Sequence, residues 1–201
     1  MKVSFAAGGA AFPFGNFFEI GYICWKTYRK HMQCELRNWR LEDAAELAEM
    51  LSDKAVQDNL RDGLPYPYTE QDGRAFLSDM LSADPDETWA RAIVADGRVV
   101  GSIGVFRQGN IHRCTAEMGY YIGRKYWGQG IGSSAVRQMS DWIFSHTDII
   151  RLYAEPFANN AASCRILEKA GFRLEGILRC NAVKNGQLRD MKMYARIRAS
   201  L

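Results

Sequence analysis

A chain of 201 residues, 47% hydrophobic and 24% charged, has the length and composition of one soluble globular domain, with or without an extension. Its formal charge of +3 resides in residues 1–31, where Lys2, Lys26, Arg29 and Lys30 face Glu19 alone; the remainder carries 22 basic and 22 acidic residues, which speaks against a nucleic-acid surface. No run of about 18 apolar residues is present, so no membrane span is expected. Five cysteines (24, 34, 114, 164 and 180) form no C-x-x-C pair, and three scattered histidines form no H-E-x-x-H, so no metal is expected and reduced thiols in a cytoplasmic protein are.

Residues 1–31 read as a leader or extension ahead of a domain over 32–201. Val3 to Phe18 is rich in Ala, Gly and Phe, but glycines and Pro13 interrupt it and it makes a poor signal peptide. The first strand is predicted at 33–38. Glu42 to Met50 places Leu and Ala at helical spacing. Val56 to Tyr68, broken by Asp62-Gly63 and Pro65-Tyr66-Pro67, reads as a long loop. Thr69 to Asp72 resembles a capping box opening a helix through Met80. Trp89–Val94 and Val99–Arg107 alternate as strands around the hairpin signal Asp96-Gly97-Arg98. A strand at Glu117–Ile122 precedes a glycine loop and a helix to about His146, in which Ile131, Ala135, Val136, Met139, Trp142 and Ile143 share a face. A β run at Ile149–Glu155, a helix capped by Asn159-Asn160 and stopped by Gly171, and strands near Phe172–Arg179 and Leu188–Arg196 complete the chain. The order β-α-α-β-β-β-α-β-α-β-β predicts an α/β (α+β) domain, a mixed sheet with helices on its faces.

The segment Trp127-Gly128-Gln129-Gly130-Ile131-Gly132-Ser133 stands at the strand-to-helix junction. Alternate glycines let backbone approach a ligand closely, and the unbonded N–H groups and positive dipole end of the helix start suit a phosphate. Glycines in such a turn can equally serve the turn alone. The loop lacks G-x-x-x-x-G-K-[ST], and its spacing is not the dinucleotide G-x-G-x-x-G. Arg124, Lys125 and Arg137 are cations near enough in sequence to reach phosphates.

Two segments, EMGYYIGRKYWGQGIG at 117–132 and NNAASCRILEKAGFRLEG at 159–176, resemble the Gcn5-related N-acetyltransferase (GNAT) superfamily, and within it the branch of ribosomal-protein N-terminal and spermidine acetyltransferases. The resemblance runs from Arg37 nearly to the C-terminus. It implies a central, mostly antiparallel sheet flanked by helices, with acetyl-CoA as co-substrate. Gly128, Gln129, Gly130, Ile131, Gly132 and Ser133 would hold its pyrophosphate. Tyr121, Ile122 and Gly123 at the strand end would pair with the pantetheine arm, which Asn160 would also contact. Trp127 stands where the superfamily usually has Gln or Arg, as is common in that branch.

Acetyl transfer to an amine requires a deprotonated amine, donors for the developing oxyanion, and a proton or donor for the leaving thiolate. The resemblance makes Glu117 the candidate base; a structural ion pair is the alternative. A tyrosine seven residues after the motif asparagine, frequent in the superfamily, is replaced here by Leu167. Ser163 is therefore the candidate at the thiolate, or else only a helix residue bonding to its cap. Cys164, about 100° around the helix from it, is expected in the core. The expected activity is acetyl-CoA-dependent N-acetylation of a primary amine (a protein N-terminus, a polyamine or another small amine) by a monomer or homodimer. The alternative is a non-catalytic acyl-CoA-binding sensor or interaction module.

Overall fold

The computed structural model describes residues 34–199; the leader expected over 1–31 lies outside the described residues. Strand β1 (Glu35–Arg37) is followed by a 3₁₀ turn at Leu41–Asp43 and helices α1 (Ala44–Leu51), α2 (Lys54–Gln57) and α3 (Glu70–Ser82). The central strands are β2 (Thr88–Ala95), β3 (Arg98–Arg107) and β4 (Thr115–Ile122). Helix α4 (Ile131–His146), strand β5 (Arg151–Ala154), helix α5 (Ala161–Lys169) and the hairpin β6 (Arg173–Lys184) and β7 (Gln187–Ile197) follow. Helix α2 falls inside the stretch expected to be loop; the Asp53 side chain accepts from the Ala55 N–H at 2.9 Å and caps it. The strands of the final hairpin run further than predicted, because β6 continues past an irregularity between Leu178 and Ala182, where Cys180 has φ 50°.

Local chemistry accounts for the element ends. Thr69 and Asp72 form the predicted capping box of α3, the Asp72 N–H donating to Thr69 Oγ1 at 3.2 Å and the Thr69 N–H to Asp72 Oδ2 at 2.8 Å. Asp96 and Gly97 turn β2 into β3 with φ 49° and 75°, and Asn185 and Gly186 turn β6 into β7 with φ 52° and 70°. The carboxylate of Asp43, buried, grips Arg37 through two bonds of 2.7 Å and accepts from the Arg40 N–H at 2.9 Å, tying β1 to the start of α1. Burial, the largest single effect, would raise the Asp43 carboxyl, but the hydrogen bonds and charge of Arg37 together with the Arg40 N–H hold it below its ordinary range.

The seven strands form one sheet in the order β1-β2-β3-β4-β5-β7-β6, antiparallel except for β4 beside β5. One face carries Ile103, Val105, Met118 and Leu152, packed under Ile131, Ala135, Val136, Met139 and Ile143 of α4 and Leu167 of α5. The other face carries Ala92, Val94 and Val99 beneath Leu47 and Met50 of α1 and Leu77 of α3. Trp142 packs half-buried against the core under α4, as predicted, and stacks on His146 with Arg91 5.3 Å over its ring. Cys164 packs in the first core.

The β4–β5 ladder is short. It pairs Thr115, Ala116 and Glu117 with Arg151, Leu152 and Tyr153, and it extends no further among the described residues. Beyond Glu117, β4 is paired only on its β3 side. A cleft of about 850 Å³ opens here, lined by residues from both sheet faces.

Candidate active site

Strand alternation sorts the side chains around the cleft. Glu117, Gly119 and Tyr121 lie on the α1/α3 face with their cross-strand partners Phe106, Gly104 and Ser102. Met118, Tyr120 and Ile122 lie on the α4/α5 face. On β5 the parallel register sets Tyr153 level with Glu117. Glu155, two residues on, returns to the same face as Glu117.

On the α1/α3 face, Arg61 from the loop after α2 contacts both carboxylates. Its guanidinium hydrogen-bonds Glu117, with a second contact of 3.5 Å to Glu117 Oε2, and lies 3.8 Å from Glu155 Oε2. Both glutamates are largely buried, at 21% and 18% exposed, whereas the Arg61 side chain is 65% exposed. Burial raises the Glu155 carboxyl above its ordinary range and neighbouring Glu117 adds to this, while Arg61 opposes it. Two carboxylates on one exposed cation make a site for positive charge and for a proton. Glu155 and Arg61 are absent from the sequence-based assignments; Arg61 meets Glu117 across 56 residues of chain, and no local pattern signals that contact.

On the opposite face, Ser163 occupies the first turn of α5. Its N–H donates to Asn160 Oδ1 at 3.0 Å, the side-chain cap expected of that asparagine. Its hydroxyl is also 2.8 Å from the Tyr120 hydroxyl, which lies 3.2 Å from the Ser163 carbonyl oxygen. Burial holds the Tyr120 phenol protonated far above its ordinary range, so it can act as a donor. The missing tyrosine of α5 thus has a phenol near its serine from another element, β4. From strand alternation alone, only the face on which Tyr120 lies could be read.

The glycine loop forms as the chemistry of its residues predicts. Gly128 and Gly130 adopt φ 75° and 85°, a left-handed backbone that favours glycine. Gly130 is the N-cap of α4, and no side chain caps that end. The first-turn N–H groups of this 16-residue helix therefore face the cleft with its positive dipole end. At Gly132 a Cβ would come within 2.7 Å of Ile166 Cδ1, so glycine there also lets α5 approach. Trp127, 46% exposed, donates from its indole Nε1 to the Ile122 carbonyl at 2.7 Å and pins the loop to the end of β4.

That open strand edge can be read peptide by peptide. The Gly123 N–H donates to Val100 O at 2.9 Å, toward β3. By alternation the peptide groups of Ile122 and Tyr120 turn to the open side and those of Tyr121 turn to β3. The expected pairing edge is thus refined: Tyr120 and Ile122 present it, while Tyr121 contributes its side chain to the cleft wall. Two of the expected contact residues are held by neighbours. Gly123 packs on Met50, where a Cβ would meet Met50 Cγ at 2.9 Å, and the Gln129 amide donates to Lys125 O at 3.0 Å.

The cations expected near the phosphates are engaged elsewhere. Lys125 bonds Glu49, Arg124 lies 3.9 Å from Asp53, and Arg137 donates to Lys169 O at 3.0 Å. Arg165 and Lys169, one turn apart on exposed positions of α5, line the cleft instead. No group of three or more His, Cys, Asp or Glu able to hold a metal occurs among the described residues. None of their helices is long and apolar enough to cross a membrane.

This fold is shared by known proteins. A model of the acetyltransferase (GNAT) domain matches residues 33–173, and the chain belongs to that family of acetyl-CoA-dependent acyltransferases. It is 28% identical over 164 residues to the uncharacterized N-acetyltransferase p20 of Bacillus licheniformis, covering 80% of this chain and 90% of that protein. To the probable N-acetyltransferase YjcK of Bacillus subtilis it is 32% identical over 131 residues, covering 64% and 72%. In fold it is similar to Mycobacterium smegmatis RimJ in complex with CoA-disulfide, with a TM-score of 0.76, 23% identity and 85% of each chain covered.

Proposed function

We propose that this protein transfers the acetyl group of acetyl-CoA directly to a primary amine in a ternary complex, with Glu117 as base and Ser163 at the departing thiolate. The observation that carries this reading is the division of groups across the sheet. Glu117 and Glu155 stand on one face and the Ser163–Tyr120 pair on the other, and they meet where β4 and β5 part.

The residues present fit acetyl-CoA. The N–H groups of Ile131, Gly132 and Ser133 would hold its pyrophosphate, with Gly128 and Gly130 keeping the loop clear of side chains and Arg165 and Lys169 at the rim. Tyr120 would offer its peptide groups, and Ile122 its N–H, to the pantetheine amides, beside Asn160. Acetyl-CoA supplies the acetyl group in activated form, as a thioester.

The protein's part is proton handling and positioning. Glu117 would accept, directly or through a water molecule, the proton that an amine of pKa about 8 to 10 must lose before attack. Glu155 would share the positive charge of the incoming amine. As the new C–N bond forms and the C–S bond breaks, Ser163 would donate a hydrogen bond or proton to the departing sulfur, and the Tyr120 phenol would support the serine hydroxyl. The free thiols at Cys34, Cys114, Cys164 and Cys180 are in keeping with a reducing, cytoplasmic setting.

The test follows release of free thiol from acetyl-CoA in the presence of N-terminal peptides, polyamines and aminoglycosides. Turnover that depends on one amine class is expected. Thermal protection by CoA without transfer to any amine would leave the binding-module reading in its place.

A further inference from the structure

We infer that the acceptor is a primary amine carried on an apolar body, its ammonium seated between Glu117 and Glu155 where the Arg61 guanidinium stands, and its body in a trough between α3 and the sheet. The inference rests on the reading of the cleft as an acetyl-transfer site and adds the class of acceptor.

The trough is built from identifiable parts. Its walls are Phe76 and Met80 of α3 and Leu60 and Leu64 of the preceding loop, all half-buried and packed against the second core. Phe106, 39% exposed, closes it on the sheet side. Its floor is Gly119, level with Gly104 across the β3–β4 ladder, and a Cβ at Gly119 would find nothing within 4 Å. A strand position beside a cleft with open space over its backbone admits a ligand side chain or ring where a larger residue would fill the room.

Charge is confined to one end. The acidic residues lining the cleft are Asp62, Glu117 and Glu155. Asp62 is already matched by Lys184 at 2.6 Å, while Asn185 donates to Asp58 at 2.9 Å, so the tip of the β6–β7 hairpin holds the loop that roofs the trough. The basic residues Arg165 and Lys169 belong to α5, on the opposite face. One ammonium is therefore matched by a carboxylate pair, and Arg61, mostly exposed, can swing away from it. A second ammonium farther along a polyamine would lie among Leu60, Phe76 and Met80, where a desolvated charge has no partner. An aryl or alkyl group in the same place would remove apolar surface from water.

The experiment compares kcat/KM for 2-phenylethylamine, ethylamine and spermidine, and for peptides beginning with Phe or Ser, in the parent protein and in Gly119→Val and Met80→Glu. At least tenfold preference for 2-phenylethylamine over spermidine is expected. Preference for the Phe peptide over the Ser peptide would identify a polypeptide source of the same chemistry; equal rates for the two with a high rate for 2-phenylethylamine would identify a free amine. Gly119→Val should shrink the ratio of 2-phenylethylamine to ethylamine at least tenfold, and Met80→Glu should raise use of spermidine. Better use of spermidine than of 2-phenylethylamine by the parent, or an unchanged ratio in both variants, overturns the inference while leaving acetyl transfer intact. Absence of transfer to every amine overturns the acetyltransferase reading itself, and the inference with it.

Discussion

Removal of Arg61 tests the carboxylate pair on which the proposed chemistry depends. Its guanidinium lies 3.8 Å from Glu155 Oε2 and hydrogen-bonds Glu117. At such a distance a unit charge pair is worth about 1 kcal/mol in water and about 4 kcal/mol at the effective dielectric of a protein surface. With the Arg61 side chain 65% exposed, the lower end of that range applies, about 1 kcal/mol or roughly fivefold in an equilibrium. The sign follows from the charge. Arg61 favours the ionised form of Glu155 against burial and Glu117, so its loss lets Glu155 hold a proton to higher pH. Arg61→Ala should therefore shift the acidic limb of the kcat/KM profile to higher pH, by about fivefold in the ionisation equilibrium, while the alkaline plateau, freed of the cation that stands in the ammonium's place, should equal or exceed the parent's. The assay is initial-rate thiol release at saturating acetyl-CoA from acid to alkaline pH. A deficit of the same size at every pH would show that Arg61 does not act through the ionisation of these carboxylates.

Other expectations address single parts of the account. Asn160→Ala removes the cap that bonds the Ser163 N–H at 3.0 Å; about 1 kcal/mol of stability should go with it, read as a fall in Tm of about 2–4 °C. Tyr120→Phe and Ser163→Ala should each slow the transfer step, and the double variant should fall short of their sum by about 1 kcal/mol in a double-mutant cycle, because the two hydroxyls stand 2.8 Å apart. Asp43→Asn should cost about 2 kcal/mol in denaturant unfolding, since it breaks a doubly bonded, buried partner of Arg37. The carboxyl of Asp43 titrates lower in the folded chain than in the unfolded one. Its contribution is thus present above the ordinary Asp range and is lost as pH falls through the depressed folded value, so parent and variant should converge in acid.

What could be read from sequence was whatever a residue's own backbone or side-chain chemistry dictates locally. Gly128 and Gly130 take the left-handed backbone that their placement suggests, Asn160 caps α5, and Thr69 with Asp72 opens α3. The order of strands and helices, apart from the short α2, followed from periodicity and turn residues for the same reason. What escaped is set by register. Glu155 joins Glu117 only because β4 and β5 run parallel with Glu117 level with Tyr153, a pairing without local trace. Tyr120 meets Ser163 across 43 residues, and Arg61 meets Glu117 across 56. Trp127, a marker of a family branch in the sequence, acquires a physical role only when its indole is seen on the Ile122 carbonyl. Arg124 and Lys125, plausible phosphate partners by proximity along the chain, are turned to Asp53 and Glu49 by the fold.

The measurement that bears most directly on the central claim is the single-turnover rate of acetyl transfer by Glu117→Gln, set beside its affinity for CoA. The amide keeps the size of the side chain and removes its basicity, and the carboxylate stands on the opposite sheet face from the glycine loop that would hold the cofactor. A rate reduced at least tenfold with CoA affinity unchanged is expected, in keeping with the roughly 10²–10⁴ that a positioned base supplies. A parent-like transfer rate in Glu117→Gln would contradict it.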